Sequence, residues 1–251
     1  MELDVGLVLR VTAIGLIAGA VGTGGGGFIS YCLLRKPGAT MLSTVLGFSA
    51  GVMLSVVFMD LLPEAIEIGG YWYAIAGLLA GIGVLLLLDL LFPHYHHCSE
   101  EEGRFRFRKV GILLGIGIAL HNIPEGLAIG AGYASSATLG AGITLVMTLQ
   151  NIPEGMAMAT AMCIGGFGGR RVVLLATLAG IPMGIGALLG AAVGSISPHM
   201  LSLSLSFAGG AMLYITCDEM VPDAHEFSKG HSAALGIILG VLVGILLGAR
   251  P

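Results

Sequence analysis

Eight long apolar runs govern how this chain can fold. Each is close to the ~20 residues that an α-helix needs to cross the hydrocarbon core of a bilayer. None shows the strict alternation of apolar and polar residues that is typical of barrel strands, and in lipid a helix satisfies its own backbone hydrogen bonds. We therefore predict an all-α integral membrane protein with eight transmembrane helices, numbered spans 1 to 8. The spans cover Val5–Gly22, Met41–Leu62, Tyr73–Phe92, Val110–Gly130, Leu139–Gly165, Val172–Gly194, Met200–Val221 and Ala233–Gly248.

The composition agrees with this fold class. Hydrophobic residues make up 56% of the chain and charged residues only 10%, and the mean hydropathy is +0.96, far from the values of a soluble domain. The 42 glycines allow transmembrane helices to approach one another closely. We predict a single transmembrane domain over residues 1–251, with a loop rich in His, Glu and Arg at residues 93–109. Lipid is the expected surrounding partner, and no nucleic acid is expected.

The basic residues predict the orientation of the chain. Nine of the eleven Lys and Arg residues fall in the loops that follow spans 1, 3, 5 and 7, and the loops after spans 2, 4 and 6 contain none. Because loops rich in Lys and Arg stay in the cytoplasm, both termini are predicted to be extracytoplasmic. The nine residues are Arg35, Lys36, Arg104, Arg106, Arg108, Lys109, Arg170, Arg171 and Lys229.

Two nearly identical polar segments interrupt spans 4 and 5. They read HNIPEG from His121 and QNIPEG from Gln150. With a rise of 1.5 Å per residue, the first segment lies roughly 17 to 22 Å into span 4, in the middle third of the bilayer. Residues four apart share a helix face, so His121 and Glu125 point one way on span 4, as Gln150 and Glu154 do on span 5.

These segments predict a cation site in the membrane. A charged side chain at the centre of a bilayer costs about 3 kcal/mol on insertion scales, so two carboxylates there require a cation, a proton or water. Pro124 and Pro153 also lack an N–H, which predicts kinks and carbonyls without helical partners. Imidazole, carboxylate and amide ligands suit zinc and its neighbours in the periodic table better than calcium or magnesium. The alternative is a buried hydrogen-bonded pair beside a packing kink.

Spans 2 and 7 are also similar to each other. FSAGVMLSVVFMDLLPEAIE begins at Phe48, and FAGGAMLYITCDEMVPDAHE begins at Phe207, which is a constant offset of 159. Five helix steps separate the two spans, so the copies cross the membrane in opposite directions. Inverted repeats around a central polar site are typical of alternating-access transporters. We expect spans 1–3 and 6–8 to be related in this way around spans 4 and 5.

At these residues the chain resembles the ZIP family of divalent metal transporters, and its bacterial GufA-like branch in particular. The resemblance rests on HNIPEG, QNIPEG, GFSAGVML and DEMVPDAH, and it extends over essentially the whole chain. It implies an eight-helix bundle in the plasma (cell inner) membrane that moves zinc, and in some members iron, manganese or cadmium, into the cytosol. The metal is substrate, and no organic cofactor is implied. A homodimer is compatible with this picture.

The resemblance also implies which residues bind metal. The main site contains Met53, His121, Glu125 and Glu154, with Gln150, Asn122 and Asn151 alongside. The exit route contains Asp89, His94, His96, Asp218 and Glu219. Members with a second metal carry acids where this chain has Asn151 and Met183, so we expect one transport site. Some relatives carry His where this chain has Asp218.

A second class of function is an intramembrane zinc-dependent hydrolase, since His and Glu on one helix face also form catalytic zinc sites. The chain contains no H-E-x-x-H segment, and inverted repeats serve transport without serving catalysis. A solvated hydrophilic loop is the alternative to metal binding for the His-rich segment at residues 93–109.

Overall fold

The computed structural model describes residues 5–34, 38–91, 104–228 and 230–248. Within these ranges the protein contains helices and no strand, which confirms the predicted all-α class. The helices form eight segments that correspond to the predicted spans. The elements are α1 (Val5–Ile29) with a π-helical end (Ser30–Leu34); α2 (Ala39–Ser55), a π-helical segment (Val56–Leu61) and α3 (Leu62–Gly69); α4 (Tyr71–Leu91); α5 (Arg104–Ser135); α6 (Ala137–Ile164); α7 (Gly169–Gly180) and α8 (Pro182–Gly194); α9 (Pro198–Ile215), a π-helical segment (Thr216–Met220) and α10 (Val221–Phe227); and α11 (Ser232–Gly248).

Several helix ends differ from the predicted boundaries. Span 4 begins at Arg104, six residues before the predicted start, because a basic segment can continue a helix beyond the hydrocarbon core. Spans 2 and 7 continue to Gly69 and Phe227, past the apolar runs from which they were predicted. Span 6 is interrupted at Ile181, because Pro182 begins a new helix and has no N–H to donate.

Most of these helices match a bilayer in length. In the described ranges, five helical segments are long and apolar enough to cross a membrane, and Ser232–Leu247 is a shorter apolar helix. Spans 4 and 5, which carry the two hexapeptides, are not among the five. At 32 and 28 residues, α5 and α6 still exceed the length that a bilayer requires. The five segments are Val5–Cys32, Ala39–Gly69, Tyr71–Leu90, Gly169–Gly194 and Pro198–Phe227.

The packing of the helices follows an inverted repeat. Span 2 packs against span 8, and its counterpart span 7 packs against span 3. Span 1 packs against span 5, and its counterpart span 6 packs against span 4. Spans 4 and 5 contact each other, as do spans 1 and 6. Exchanging spans 1–3 with spans 6–8, and span 4 with span 5, converts the contact of spans 2 and 8 into that of spans 7 and 3. It also converts the contact of spans 1 and 5 into that of spans 6 and 4, and it leaves the other two contacts unchanged.

Glycine contacts repeat this relation at the level of single atoms. A Cβ at Gly51 would collide with the carbonyl oxygen of Ile237, and one at Gly210 would collide with that of Leu78. Gly210 follows Gly51 by 159 positions, and Ile237 follows Leu78 by 159 positions, so the two contacts are equivalent in the repeat. The same holds for Gly240 against Phe48 and for Gly81 against Phe207. Close backbone contacts of this kind explain why glycine is needed at equivalent positions.

The π-helical segments of spans 2 and 7 also occupy equivalent positions. Val56–Leu61 lies in span 2 and Thr216–Met220 in span 7, and each comes just before a short helix with proline in its first turn. A π-helical turn inserts one residue into the helical register and therefore redirects the side chains around it. Such turns are frequent at functional sites.

The largest apolar core occupies the half of the bundle that contains the ends of spans 2 and 4 and the starts of spans 5 and 7. Its side chains come from both repeats and from spans 4 and 5, so it joins the two halves of the molecule. The fully buried members include Met53, Val57, Leu61, Ile129, Met147, Leu205 and Met212.

Candidate metal-transport site

The two hexapeptides meet inside the bundle, where spans 4 and 5 pack together. Glu125 and Gln150 are 0% exposed, Glu154 is 3% exposed and His121 is 8% exposed. Both α5 and α6 continue through their internal prolines, so the prolines do not end the helices. The four polar side chains are therefore buried where the two helices pack together.

His121 is in contact with the π-helical segment of span 7. Its Nε2 atom lies 3.0 Å from Oε2 of Glu219. Glu219 reaches the imidazole from a turn whose register is shifted by the π-helical insertion. The structure thus brings together one residue predicted for the central site and one predicted for the exit route.

The two glutamates of the hexapeptides have different partners. Nε2 of Gln150 donates to Oε1 of Glu125 at 2.8 Å, which links span 5 to span 4. The hydroxyl of Ser49 donates to Oε1 of Glu154 at 3.2 Å and approaches the carbonyl of Gln150 at 3.1 Å. Ser49 lies inside the GFSAGVML segment that carries the family resemblance, but no pattern in the sequence identified it as part of the site.

The amides form a separate bridge between spans 4 and 5. Nδ2 of Asn151 donates to Oδ1 of Asn122 at 2.8 Å. Nδ2 of Asn122 donates to the carbonyls of Ile118 and Ala179, at 2.9 and 3.1 Å, which ties span 4 to span 6. In this structure, therefore, the Asn122 amide nitrogen is used to position helices.

Met53 is fully buried, and its sulfur lies 3.8 Å from the hydroxyl of Thr216. This contact joins spans 2 and 7, the two copies of the repeat. The thioether is therefore held beside a hydroxyl on the π-helical segment that also carries Glu219.

Several buried oxygens are left without a hydrogen-bond partner in the part of the chain that the structure describes. Four of them are Oε2 of Glu125, Oε2 of Glu154, Oε1 of Gln150 and Oδ1 of Asn151, and the others are the hydroxyl oxygens of Thr23 and Ser55. Buried polar atoms normally have partners, and an unpaired carboxylate oxygen is costly away from water. The carboxylate and amide oxygens among them all belong to the hexapeptides, and oxygen atoms of this kind are ligands for a cation.

The ligands do not form a closed coordination sphere in this structure. Among the described residues, no three His, Cys, Asp or Glu side chains converge closely enough to hold a metal ion. The polar groups are instead arranged in pairs, and Asp218 is exposed. His94 and His96 lie outside the described residues.

Two cavities adjoin His121 and Glu219. The first, of about 50 Å³, also contacts Glu154 and Asp223. The second, of about 170 Å³, contacts Asp89 and Tyr214, whose hydroxyl donates to Oδ2 of Asp89 at 3.3 Å. The family resemblance implies an exit role for Asp89, whereas no sequence pattern pointed to Tyr214.

The 50 Å³ cavity lies toward the end of the bundle where span 4 begins and span 7 ends, whereas the 170 Å³ cavity lies between spans 3, 4 and 7 and also contacts Leu127 and Phe207. The 50 Å³ cavity runs from Glu154 past Leu114 to Phe227. On the opposite side of the hexapeptides, the apolar core that includes Ile129, Met147 and Leu205 is fully buried. A densely packed apolar layer excludes water and ions, so the 50 Å³ cavity marks the more open side of the hexapeptides.

These features define an inverted-repeat helical membrane protein with a buried site of imidazole, carboxylate and amide groups at its centre. The chain belongs to the ZIP family: the family model described as ZIP zinc transporter matches residues 93–249. This confirms the resemblance found in the sequence.

Bacterial relatives support the same assignment. The chain is 31% identical to the zinc transporter ZupT of Akkermansia muciniphila, with 95% of this chain and 96% of that protein covered. It is 31% identical to ZupT of Corynebacterium efficiens, with 92% and 93% covered. It is 39% identical to ZupT of Salmonella paratyphi A over 52% of each chain. Neither the family nor these names support a hydrolase.

Proposed function

We propose that this protein transports divalent transition-metal cations, with zinc as the principal substrate, across the membrane and into the cytosol. The observation that carries the proposal is the pair of buried glutamates, Glu125 and Glu154, at the contact of spans 4 and 5. Each keeps one oxygen without a partner in the described chain. A passing cation would remove the cost of burying these groups.

His121, Glu125 and Glu154 are the proposed principal ligands of the transported cation. His121 and Glu154 line the same cavity, and an imidazole with two carboxylates is a ligand set that zinc commonly takes. Met53, Gln150, Asn122 and Asn151 are the proposed supporting residues. Iron, manganese and cadmium accept similar ligands and are proposed as lesser substrates.

The proposed route to the cytosol follows the cavities next to the site. The ion leaves His121 for Glu219, which is 3.0 Å away, and then passes Asp223 or Asp89, which line the two cavities. Asp218, on the same π-helical segment, and the loop residues His94 and His96 complete the proposed exit. A series of weak sites is suited to conduction, since an ion must be able to leave each one.

The proposed location is the cell inner membrane, with both termini extracytoplasmic and the Lys- and Arg-rich loops in the cytoplasm. The 50 Å³ cavity lies at the end of the bundle where the described parts of spans 3 and 7 finish, so this orientation directs it toward the cytosol. Net movement follows the metal gradient or a coupled ion. A homodimer is compatible with this location.

Uptake of radioactive zinc into liposomes that contain the purified protein tests the proposal. The unmodified protein should take up zinc well above empty liposomes, and Glu125→Gln should lose most of that uptake because it removes the charge and keeps the shape. Glu67→Gln, at an exposed position of span 2, is the matched control and should behave like the unmodified protein. Equal zinc uptake by liposomes that contain the unmodified protein and by empty liposomes would refute zinc transport.

A further inference from the structure

We propose that Asp60 is the outward-side counterpart of Glu219, and that Asp60 and Gln150 together bind the cation when the protein is open to the outside. This inference rests on the proposed function. Asp60 and Gln150 would receive the ion on the proposed outer side, where the apolar core covers the hexapeptides.

The correspondence between the two pairs follows from the repeat. The offset of 159 relates Asp60 in span 2 to Glu219 in span 7, and the hexapeptides relate Gln150 in span 5 to His121 in span 4. The repeat holds in the packing as well, because equivalent glycines contact equivalent carbonyls. A contact between spans 7 and 4 therefore has a geometric counterpart between spans 2 and 5.

The local structure around the two acids is also the same. Asp60 lies in the π-helical segment Val56–Leu61, and Glu219 lies in Thr216–Met220. Both side chains are half-buried, and each stands three residues before the proline of the following short helix. The same insertion in the helical register redirects both acids, so the backbone can present Asp60 toward span 5 as it presents Glu219 toward span 4.

Gln150 is the residue that Asp60 would join. It is fully buried, its Nε2 is bound to Glu125, and its Oε1 has no hydrogen-bond partner within the described ranges. An amide oxygen in this position is available as a ligand for a cation. On the proposed outer side it is covered by the apolar core that includes Met53 and Met147.

Alternating access connects the two pairs. Transporters with inverted repeats open to the two sides by exchanging the arrangements of their repeats. If spans 2 and 5 adopt the arrangement observed for spans 7 and 4, Asp60 and Gln150 approach as closely as Glu219 and His121, which are 3.0 Å apart here. The ion then enters between a carboxylate and an amide, and it leaves between a carboxylate and an imidazole.

Zinc flux measured from each side of the membrane tests the roles of the two acids. In right-side-out vesicles, Asp60→Asn should raise the half-saturating zinc concentration at least about tenfold, a loss of about 1.4 kcal/mol of binding. In inside-out vesicles the same change should have little effect, whereas Glu219→Gln should show the reverse pattern. Glu67→Gln, an exposed acid on the same span as Asp60, should change neither value.

The outcomes separate this inference from the proposed function. If the unmodified protein moves no zinc, the proposed function fails, and this inference fails with it. If the unmodified protein moves zinc and Asp60→Asn behaves like Glu67→Gln, or changes both sides equally, only the assignment of Asp60 is overturned.

Disulfide formation tests the geometry without any measurement of flux. In a protein whose four native cysteines are changed to serine, Asp60→Cys with Gln150→Cys forms one pair, and His121→Cys with Glu219→Cys forms its symmetric control. Peptide mass spectrometry after mild oxidation should find both disulfides. The inner pair, at positions 121 and 219, should form faster than the outer pair, at positions 60 and 150. Retention of the normal size-exclusion profile establishes that each variant is folded. An inner disulfide without any outer disulfide in folded protein would overturn the proposal.

Discussion

At the scale of single residues, the two hexapeptides differ at their first position. His121 contacts Glu219 and lines the cavities, whereas Gln150 contacts Glu125 and is fully buried. Imidazole binds zinc more strongly than an amide does. We expect His121→Ala to raise the half-saturating zinc concentration by roughly ten- to a hundredfold, as is typical for disrupted metal sites, and Gln150→Ala to raise it much less. Zinc flux into inside-out vesicles, where the ion enters on the side of His121 and Glu219, would measure both, and equal losses would contradict the proposed role of His121.

A second residue-scale prediction concerns the number of metal ions. Asn151 is hydrogen-bonded to Asn122, and Met183 is fully buried and apolar, so neither supplies the charge that a second divalent cation would require. We expect the unmodified protein to bind one zinc ion tightly at the centre, and Asn151→Asp to strengthen a second site. Isothermal titration calorimetry of the two proteins would measure the stoichiometry. Two tight ions in the unmodified protein would contradict the prediction.

At the scale of helices, close glycine contacts hold the two repeats against each other, and span 3 offers a matched pair to test this. Gly81 packs against the carbonyl of Phe207, whereas Gly83, two residues later, faces open space. Gly81→Ala should destabilise the protein by about 1–3 kcal/mol through overpacking. Gly83→Ala should be neutral or stabilising by up to about 1 kcal/mol, because alanine is the better helix former. Thermal unfolding in detergent would measure both. Equal effects would show that the contact of spans 3 and 7 tolerates a side chain.

At the scale of the whole molecule, the orientation determines which way the 50 Å³ cavity faces. The basic loops predict extracytoplasmic termini, so a fluorescent protein that folds only in the cytoplasm should stay dark when it is fused to the C-terminus. Alkaline phosphatase, which is active only outside the cytoplasm, should be active at the same position. The reverse result would place that cavity on the outer side and reverse the proposed entrance and exit.

The spans and the inverted repeat could be predicted from the sequence, whereas the orientation stays a prediction from the basic loops. Insertion into lipid depends on local composition, which is visible in any continuous run of residues. The repeat is visible because glycine, proline and acidic residues recur at a fixed offset wherever equivalent helices touch. The break at Pro182 follows from local chemistry as well, since proline cannot donate a backbone hydrogen bond, although the apolar pattern hid it.

The partners of the polar side chains depended on the packing of distant helices. The sequence placed Glu219 on an exit route and His121 in the central site, and only the folded chain shows them in contact. The hydrogen bond of Ser49 with Glu154 joins residues 105 positions apart, and the π-helical turns shift the register on which any prediction of helix faces depends. Which side of the hexapeptides is the more open depends on how side chains from several spans fill one volume. That volume is a property of the assembled helices, because no single helix encloses it.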